Sequence, residues 1–224
     1  MESQNHKVIK GFLQPGEARE ILGWVDSLDI EQVITNHHIK EVRKNLNGNS
    51  YMFNVSKTPE TNYIAEFQSS GNVIGKNPPT IIYSLINRIS SAIGISKDHV
   101  FFQVIDMSKG GKVNPHYDSS INGYINYKCN ISVLSEDYNF YLDEHTFSIK
   151  EGDLYCFEAS LYKHWSDVFA SRRVLLSFGF LLPYIELNRK ENEPRIRLSR
   201  RINKYFQTEN RIDRNTSHFN KESN

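Results

Sequence analysis

His116 and Asp118 stand two residues apart in the stretch Val-Asn-Pro-His-Tyr-Asp-Ser-Ser, residues 113–120. In an extended strand, residues i and i+2 project to the same side. An imidazole nitrogen and a carboxylate oxygen would then face together, and Tyr117 would turn to the opposite side, where packing is its expected role. Two His and one carboxylate form the facial triad of non-haem Fe(II) oxygenases, which leaves neighbouring coordination positions open. Alone, the triplet is a weak signal in a chain with eight histidines. Its weight depends on a third ligand. His145, in Leu-Asp-Glu-His-Thr-Phe, reads as a surface histidine in a hairpin connection. His164, in Tyr-Lys-His-Trp-Ser-Asp-Val, follows an apolar run and can fold back beside the first pair, although a single histidine next to Trp165 is more often structural.

Nine residues after His164 comes Arg173, at the head of Arg-Arg-Val-Leu-Leu-Ser-Phe-Gly-Phe. Alternation places Arg173, Leu175, Ser177 and Gly179 on one face, and Arg172, Val174, Leu176 and Phe178 on the other. A guanidinium opening an apolar strand is costly to bury without a partner, and a carboxylate held through two hydrogen bonds is such a partner. For Arg172 a surface salt bridge is the better reading.

These side chains need a scaffold. Short apolar runs begin at Val100: Val-Phe-Phe-Gln-Val-Ile-Asp-Met, Tyr-Lys-Cys-Asn-Ile-Ser-Val-Leu, Phe-Tyr-Leu-Asp-Glu-His-Thr-Phe-Ser-Ile, Gly-Asp-Leu-Tyr-Cys-Phe-Glu-Ala and the Arg172 run. Gly, Asp, Ser and Lys separate them, as in an antiparallel sandwich or barrel. Two helices precede them. Pro15 suits a first helical turn, with Ile21, Leu22, Val25 and Leu28 at helical spacing after a strand over Val8–Leu13. Pro78 and Pro79 open a second helix, in which Ile82, Leu85, Ile86 and Ile89 form the buried stripe and Gly94 marks the end. Residues 36–76 are polar with scattered aromatics and read as short strands and long loops, suited to a lid or substrate loops. Residues 195–207 form a candidate amphipathic helix whose basic residues read as a solvated face, and residues 208–224 a polar tail expected to be disordered.

The chain has 224 residues and a formal net charge of +1. That length fits one sizeable domain over residues 1–207, with helical support at 14–95 and a β core at 100–183. The near-zero charge argues against a broad nucleic-acid or membrane footprint. Neither a transmembrane run nor an apolar leader is visible, so a cytoplasmic protein is expected. Cys129 and Cys156, the two cysteines, read as buried thiols in a reducing compartment. The sequons at Asn54, Asn130 and Asn215 then carry no meaning.

His116, Asp118, His164 and Arg173 together resemble the signature of the iron- and 2-oxoglutarate-dependent dioxygenase superfamily. The segment Phe-Gln-Val-Ile-Asp-Met-Ser-Lys-Gly-Gly-Lys-Val-Asn-Pro-His-Tyr-Asp is similar to the prolyl 4-hydroxylase branch. Gly-Asp-Leu-Tyr-Cys-Phe resembles the strand before the distal histidine. The resemblance covers about residues 100–183, and more weakly 8–30. It implies a mainly β fold with flanking helices around a double-stranded β-helix (jelly-roll, cupin-like) core. It implies Fe(II) held by His116, Asp118 and His164, and 2-oxoglutarate paired with Arg173, with O2 as oxidant. Ser177 or Tyr127 is expected to add a hydrogen bond to 2-oxoglutarate. The implied reaction is hydroxylation of an unactivated C–H of an amino-acid side chain, free or peptidyl, or of a small metabolite, with release of succinate and CO2. The substrate partner is then a small molecule or peptide. Oxidative demethylation of alkylated nucleic acid is the alternative, because the segment from Gly152 to Phe180 also resembles that branch. Met107 and Val113 stand where prolyl hydroxylases commonly carry tyrosines, and Gly179 where the demethylase branch has a second arginine.

Overall fold

The computed structural model describes residues 6–28, 48–54, 78–97, 100–118 and 124–183. The candidate helix at 195–207, the tail at 208–224, the sequon at Asn215 and most of segment 36–76 lie outside the described residues.

Helix α1 spans Pro15–Asp26, with Pro15 in its first turn. There the missing N–H costs nothing and the fixed φ suits the helix. The Gln14 amide donates to Glu17 Oε2 at 2.9 Å. Helix α2 spans Thr80–Ile93, capped by Pro79 in an extended conformation and stopped by Gly94 at φ 72°. Its expected stripe of Ile82, Leu85, Ile86 and Ile89 is buried. Arg88 of α2 joins the two helices. It pairs with Glu17, donates to the Phe12 carbonyl at 2.6 Å and lies over the Phe12 ring.

The strands are β1 His6–Ile9, β2 Gly48–Asn54, β3 Val100–Met107, β4 Val113–His116, β5 Tyr124–Leu134, β6 Tyr138–Leu142, β7 His145–Ile149, β8 Leu154–Glu158, β9 His164–Ser166 and β10 Arg173–Pro183. They form a six-stranded sheet, β1-β8-β5-β10-β3-β2, and a four-stranded sheet, β4-β9-β6-β7. Every pairing is antiparallel. From β3 to β10 the chain passes back and forth between the sheets, with β6 and β7 as the one hairpin kept within a sheet. This alternation is the expected double-stranded β-helix.

Both faces of the six-stranded sheet are covered. On one side Phe102, Val104, Cys129, Ile131, Val174, Leu176 and Phe178 pack against Ile21, Val25, Ile82, Leu85 and Ile89 of the helices. On the other, Met107, Tyr155, Phe157 and Leu175 meet Tyr138, Phe140, Leu142 and Ile149 of the four-stranded sheet. The second cluster joins the two sheets and surrounds the candidate chemistry. Among the described residues no helix is long and apolar enough to cross a membrane.

The structure corrects several local expectations. The first strand is His6–Ile9 rather than Val8–Leu13. Lys10 and Gly11 form a turn instead, because buried Asp153 accepts from Lys10 Nζ at 2.8 Å and from the Gly11 amide at 3.0 Å. His145 opens β7, and the hairpin connection is Asp143-Glu144. Tyr117 does not pack as expected. It lies beyond the end of β4 and is 38% exposed.

Candidate active site

Strand β4 ends at His116, so Asp118 lies just past it and not within a strand. The Asp118 backbone amide donates to the Ala159 carbonyl at 2.9 Å, which anchors the chain just past β4. His164 opens β9 directly opposite His116 in the ladder, and the ring centroids are 4.2 Å apart. Phe157 and Phe140 flank the buried His164 ring. Asp118 Oδ1 lies 3.3 Å from His116 Nε2 and 3.6 Å from His164 Nε2. The ligand atoms of the three residues all lie within 4.8 Å of one another, and theirs is the one such group among the described residues. His145 takes no part in it and instead faces His6 and Phe147.

The donor chemistry fits a divalent metal. His116 Nδ1 lies 2.7 Å from the Asn114 carbonyl, and His164 Nδ1 lies 3.1 Å from the Tyr162 carbonyl. A carbonyl only accepts, so each Nδ1 carries the hydrogen, and Nε2 is the atom each ring would offer a metal at the centre. Burial pushes the His164 pKa down to about 3, aided by His116 and Lys128 and only partly opposed by Asp118. Burial alone would raise the Asp118 carboxyl. The Lys128 ammonium, the His116 hydrogen bond and the two imidazoles outweigh it, so Asp118 stays well below the usual carboxylate range. Two imidazole nitrogens and one carboxylate oxygen thus converge, a set suited to Fe(II).

Arg173 is 1% exposed, and its Nη2 donates to the Tyr138 hydroxyl at 2.6 Å and to the Tyr155 hydroxyl at 3.0 Å. The guanidinium carbon lies 4.3 Å from the Tyr138 ring centroid and 4.5 Å from that of Phe169. Burial raises the Tyr138 hydroxyl well above its ordinary pKa even beside Arg173, so Tyr138 supplies no phenolate to balance the charge. Among the described residues no carboxylate pairs with Arg173, and its Nε and Nη1 have no partner. Ser177 Oγ and Asn130 Oδ1 are also buried without partners, and these two residues sit directly opposite each other on β10 and β5. A buried cation with two free donors, on the same strand face as the unpaired Ser177 hydroxyl, fits one end of a dicarboxylate such as 2-oxoglutarate. Arg172, by contrast, makes the expected surface bridge, bonding Asp106 through two nitrogens and Asp26 through one.

Tyr127 is corrected. Its side chain packs with Cys129 and Ile131 in the cluster beneath the helices, on the far face of the six-stranded sheet. Burial, then Cys156, Cys129 and Glu158, raise its hydroxyl pKa. Its neighbours Asn126, Lys128 and Asn130 occupy the inner face instead. Lys128 Nζ reaches Asp118 Oδ2 at 2.5 Å, and Asn126 Nδ2 donates to the same oxygen at 2.9 Å. Sequence reasoning missed all three. Their signal was the polar alternation of Asn126, Lys128, Asn130 and Ser132 along β5. The position of Gly179 is filled by a neighbour, because a Cβ there would lie 2.0 Å from the Phe101 ring.

No family model matches the sequence, and no curated protein matches it. Solved structures do. OsALKBH1 is similar over 79% of this chain and 98% of its own, at 12% identity and a TM-score of 0.52. A Pseudomonas putida prolyl-4-hydroxylase is similar over 80% of this chain and 92% of its own, at 9% identity and a TM-score of 0.51. A prolyl 4-hydroxylase from Phytophthora capsici is similar over 82% of this chain and 60% of its own, at 10% identity and a TM-score of 0.51. At these identities the likeness establishes the fold, the double-stranded β-helix with its flanking helices.

Proposed function

We propose that this chain is an Fe(II)- and 2-oxoglutarate-dependent oxygenase that hydroxylates an unactivated C–H of an amino-acid side chain, free or peptidyl, or of a small metabolite. The observation that carries this reading is the convergence of one ligand atom each from His116, Asp118 and His164 within 4.8 Å, with Asp118 Oδ1 facing both Nε2 atoms. Similarity in fold to two prolyl 4-hydroxylases supports it. Nucleic-acid demethylation is the weaker reading, since the Phe101 ring covers the position where that branch has its second arginine.

In this reading His116, Asp118 and His164 hold the iron, and Arg173 receives the distal carboxylate of 2-oxoglutarate. Bound iron and 2-oxoglutarate supply the oxidising chemistry, with O2 consumed and succinate and CO2 released. The chain's own contribution is positioning and exclusion of water. The Asn114 and Tyr162 carbonyls hold both imidazoles in one tautomer. Tyr138 and Tyr155 hold the Arg173 guanidinium through Nη2, which leaves Nε or Nη1 to donate to the carboxylate. The planar guanidinium, held by the two hydroxyls, presents its remaining donors in fixed directions, which the freely rotating ammonium of a lysine would not do.

Anaerobic addition of Fe(II) and 2-oxoglutarate should give a weak visible metal-to-ligand charge-transfer band, and His116→Ala should abolish it. Wild-type protein with neither the band nor 2-oxoglutarate binding would rule the reading out. Succinate release against a panel of amino acids, peptides and methylated oligonucleotides would then identify the substrate class.

A further inference from the structure

Asp118 has two oxygens, and the structure gives them different neighbours. Oδ1 faces both imidazole Nε2 atoms. Oδ2 turns away and takes two donors, the Lys128 ammonium at 2.5 Å and the Asn126 amide at 2.9 Å. Both donors come from the inner face of β5. Lys128 pairs in register with Gly179 on β10 and Phe157 on β8, at the centre of the six-stranded sheet. Its side chain is 13% exposed, so the ammonium is held among fixed neighbours. A carboxylate gripped this way cannot rotate without breaking an ion pair and a second hydrogen bond to its charged oxygen.

From this asymmetry we infer that Lys128, with Asn126, is a positioning residue that restricts Asp118 to one metal-binding oxygen. The inference rests on the iron and 2-oxoglutarate reading above. A carboxylate free to use both oxygens would occupy a second coordination position. 2-Oxoglutarate chelates through two atoms and needs two open positions, so the second carboxylate oxygen would compete with it. Charge works in the opposite sense for the metal alone. Lys128 repels a divalent cation, and its removal relieves that repulsion.

Lys128→Met should therefore separate two affinities that a general loss of structure would lower together. Divalent metal affinity, read from the loss of the free Mn(II) electron paramagnetic resonance signal, should stay the same or rise. 2-Oxoglutarate affinity, read from the Fe(II) charge-transfer band under anaerobic conditions, should fall about tenfold or more, the scale typical of lost outer-shell partners. Asn126→Leu removes the other donor without changing charge. It should weaken 2-oxoglutarate in the same direction, by less, and decides the matter if Lys128→Met fails to fold. The inference is overturned if the folded variant keeps its 2-oxoglutarate affinity within twofold of wild type, or loses metal and 2-oxoglutarate in parallel. Wild-type protein that binds neither Mn(II) nor 2-oxoglutarate would instead overturn the oxygenase reading itself.

Discussion

Arg172 and Arg173 are neighbours in sequence with opposite surroundings. Arg172 sits half-exposed between Asp26 and Asp106, where water screens the pair and each bridge is worth about 0–1 kcal/mol. Arg173 is buried with hydroxyl and aromatic partners and no anion among the described residues. Arg173→Met should therefore weaken 2-oxoglutarate by roughly 10–100-fold, on the scale of one or two charge-assisted hydrogen bonds. Arg172→Ala should cost about 0.5–1 kcal/mol of stability and leave that affinity unchanged. Calorimetric titration of both variants checks the pair, and equal losses of affinity would contradict this division. Strand alternation made the division legible in the sequence, because it needs only the period of two. The same alternation holds along β5, where Asn126, Lys128, Asn130 and Ser132 interleave with Tyr127, Cys129, Ile131 and Val133. A polar face on a strand ordinarily points to water. Here a second sheet covers it, which a single strand's pattern does not reveal, so Tyr127 drew attention that belonged to its neighbours.

At the scale of elements, those with local signals matched best. Pro15, Pro79 and Gly94 bound their helices through backbone geometry alone. A Cβ at Gly94 would meet open space, so Gly94→Ala should cost only the left-handed backbone penalty, about 1–2 kcal/mol. Elements shaped by distant contacts were less legible. The turn at Lys10-Gly11 depends on Asp153, which also accepts from the Lys150 amide at 2.8 Å. Glycine is needed beside it, because Gly152 adopts φ 83° and a Cβ there would lie 3.1 Å from the Leu13 carbonyl oxygen. Asp153→Ala would leave the Gly11 and Lys150 amides without their partner and should cost about 2–4 kcal/mol. Urea unfolding of both variants measures the difference. A loss for Asp153→Ala no larger than that for Gly94→Ala would mean that water replaces the carboxylate.

At the scale of the whole molecule, the candidate site ties one sheet to the other. His116 and His164 stand on the four-stranded sheet, and Arg173, Asn130 and Ser177 on the six-stranded one. Tyr138 and Tyr155, one from each sheet, join hydroxyls at 3.2 Å beneath the guanidinium. A ligand that spans metal and guanidinium therefore cross-links the two layers of the β-helix and binds the folded state alone. Such a ligand at a hundred times its dissociation constant adds about 2.7 kcal/mol of stability. In a protein of this size each kcal/mol moves the melting temperature by roughly 2–4 °C. Mn(II) and then saturating 2-oxoglutarate should each raise the melting temperature of wild-type protein, the second step by about 5–10 °C. His164→Ala should erase the Mn(II) step and most of the 2-oxoglutarate step, since chelation needs the metal. Asp153→Ala, in the turn that joins β7 to β8, should lower the starting temperature and keep both increments, because distant independent sites add. A thermal scan of the three proteins tests the scheme. A 2-oxoglutarate step that survives His164→Ala in full would mean that the dicarboxylate binds without bridging the sheets through the metal.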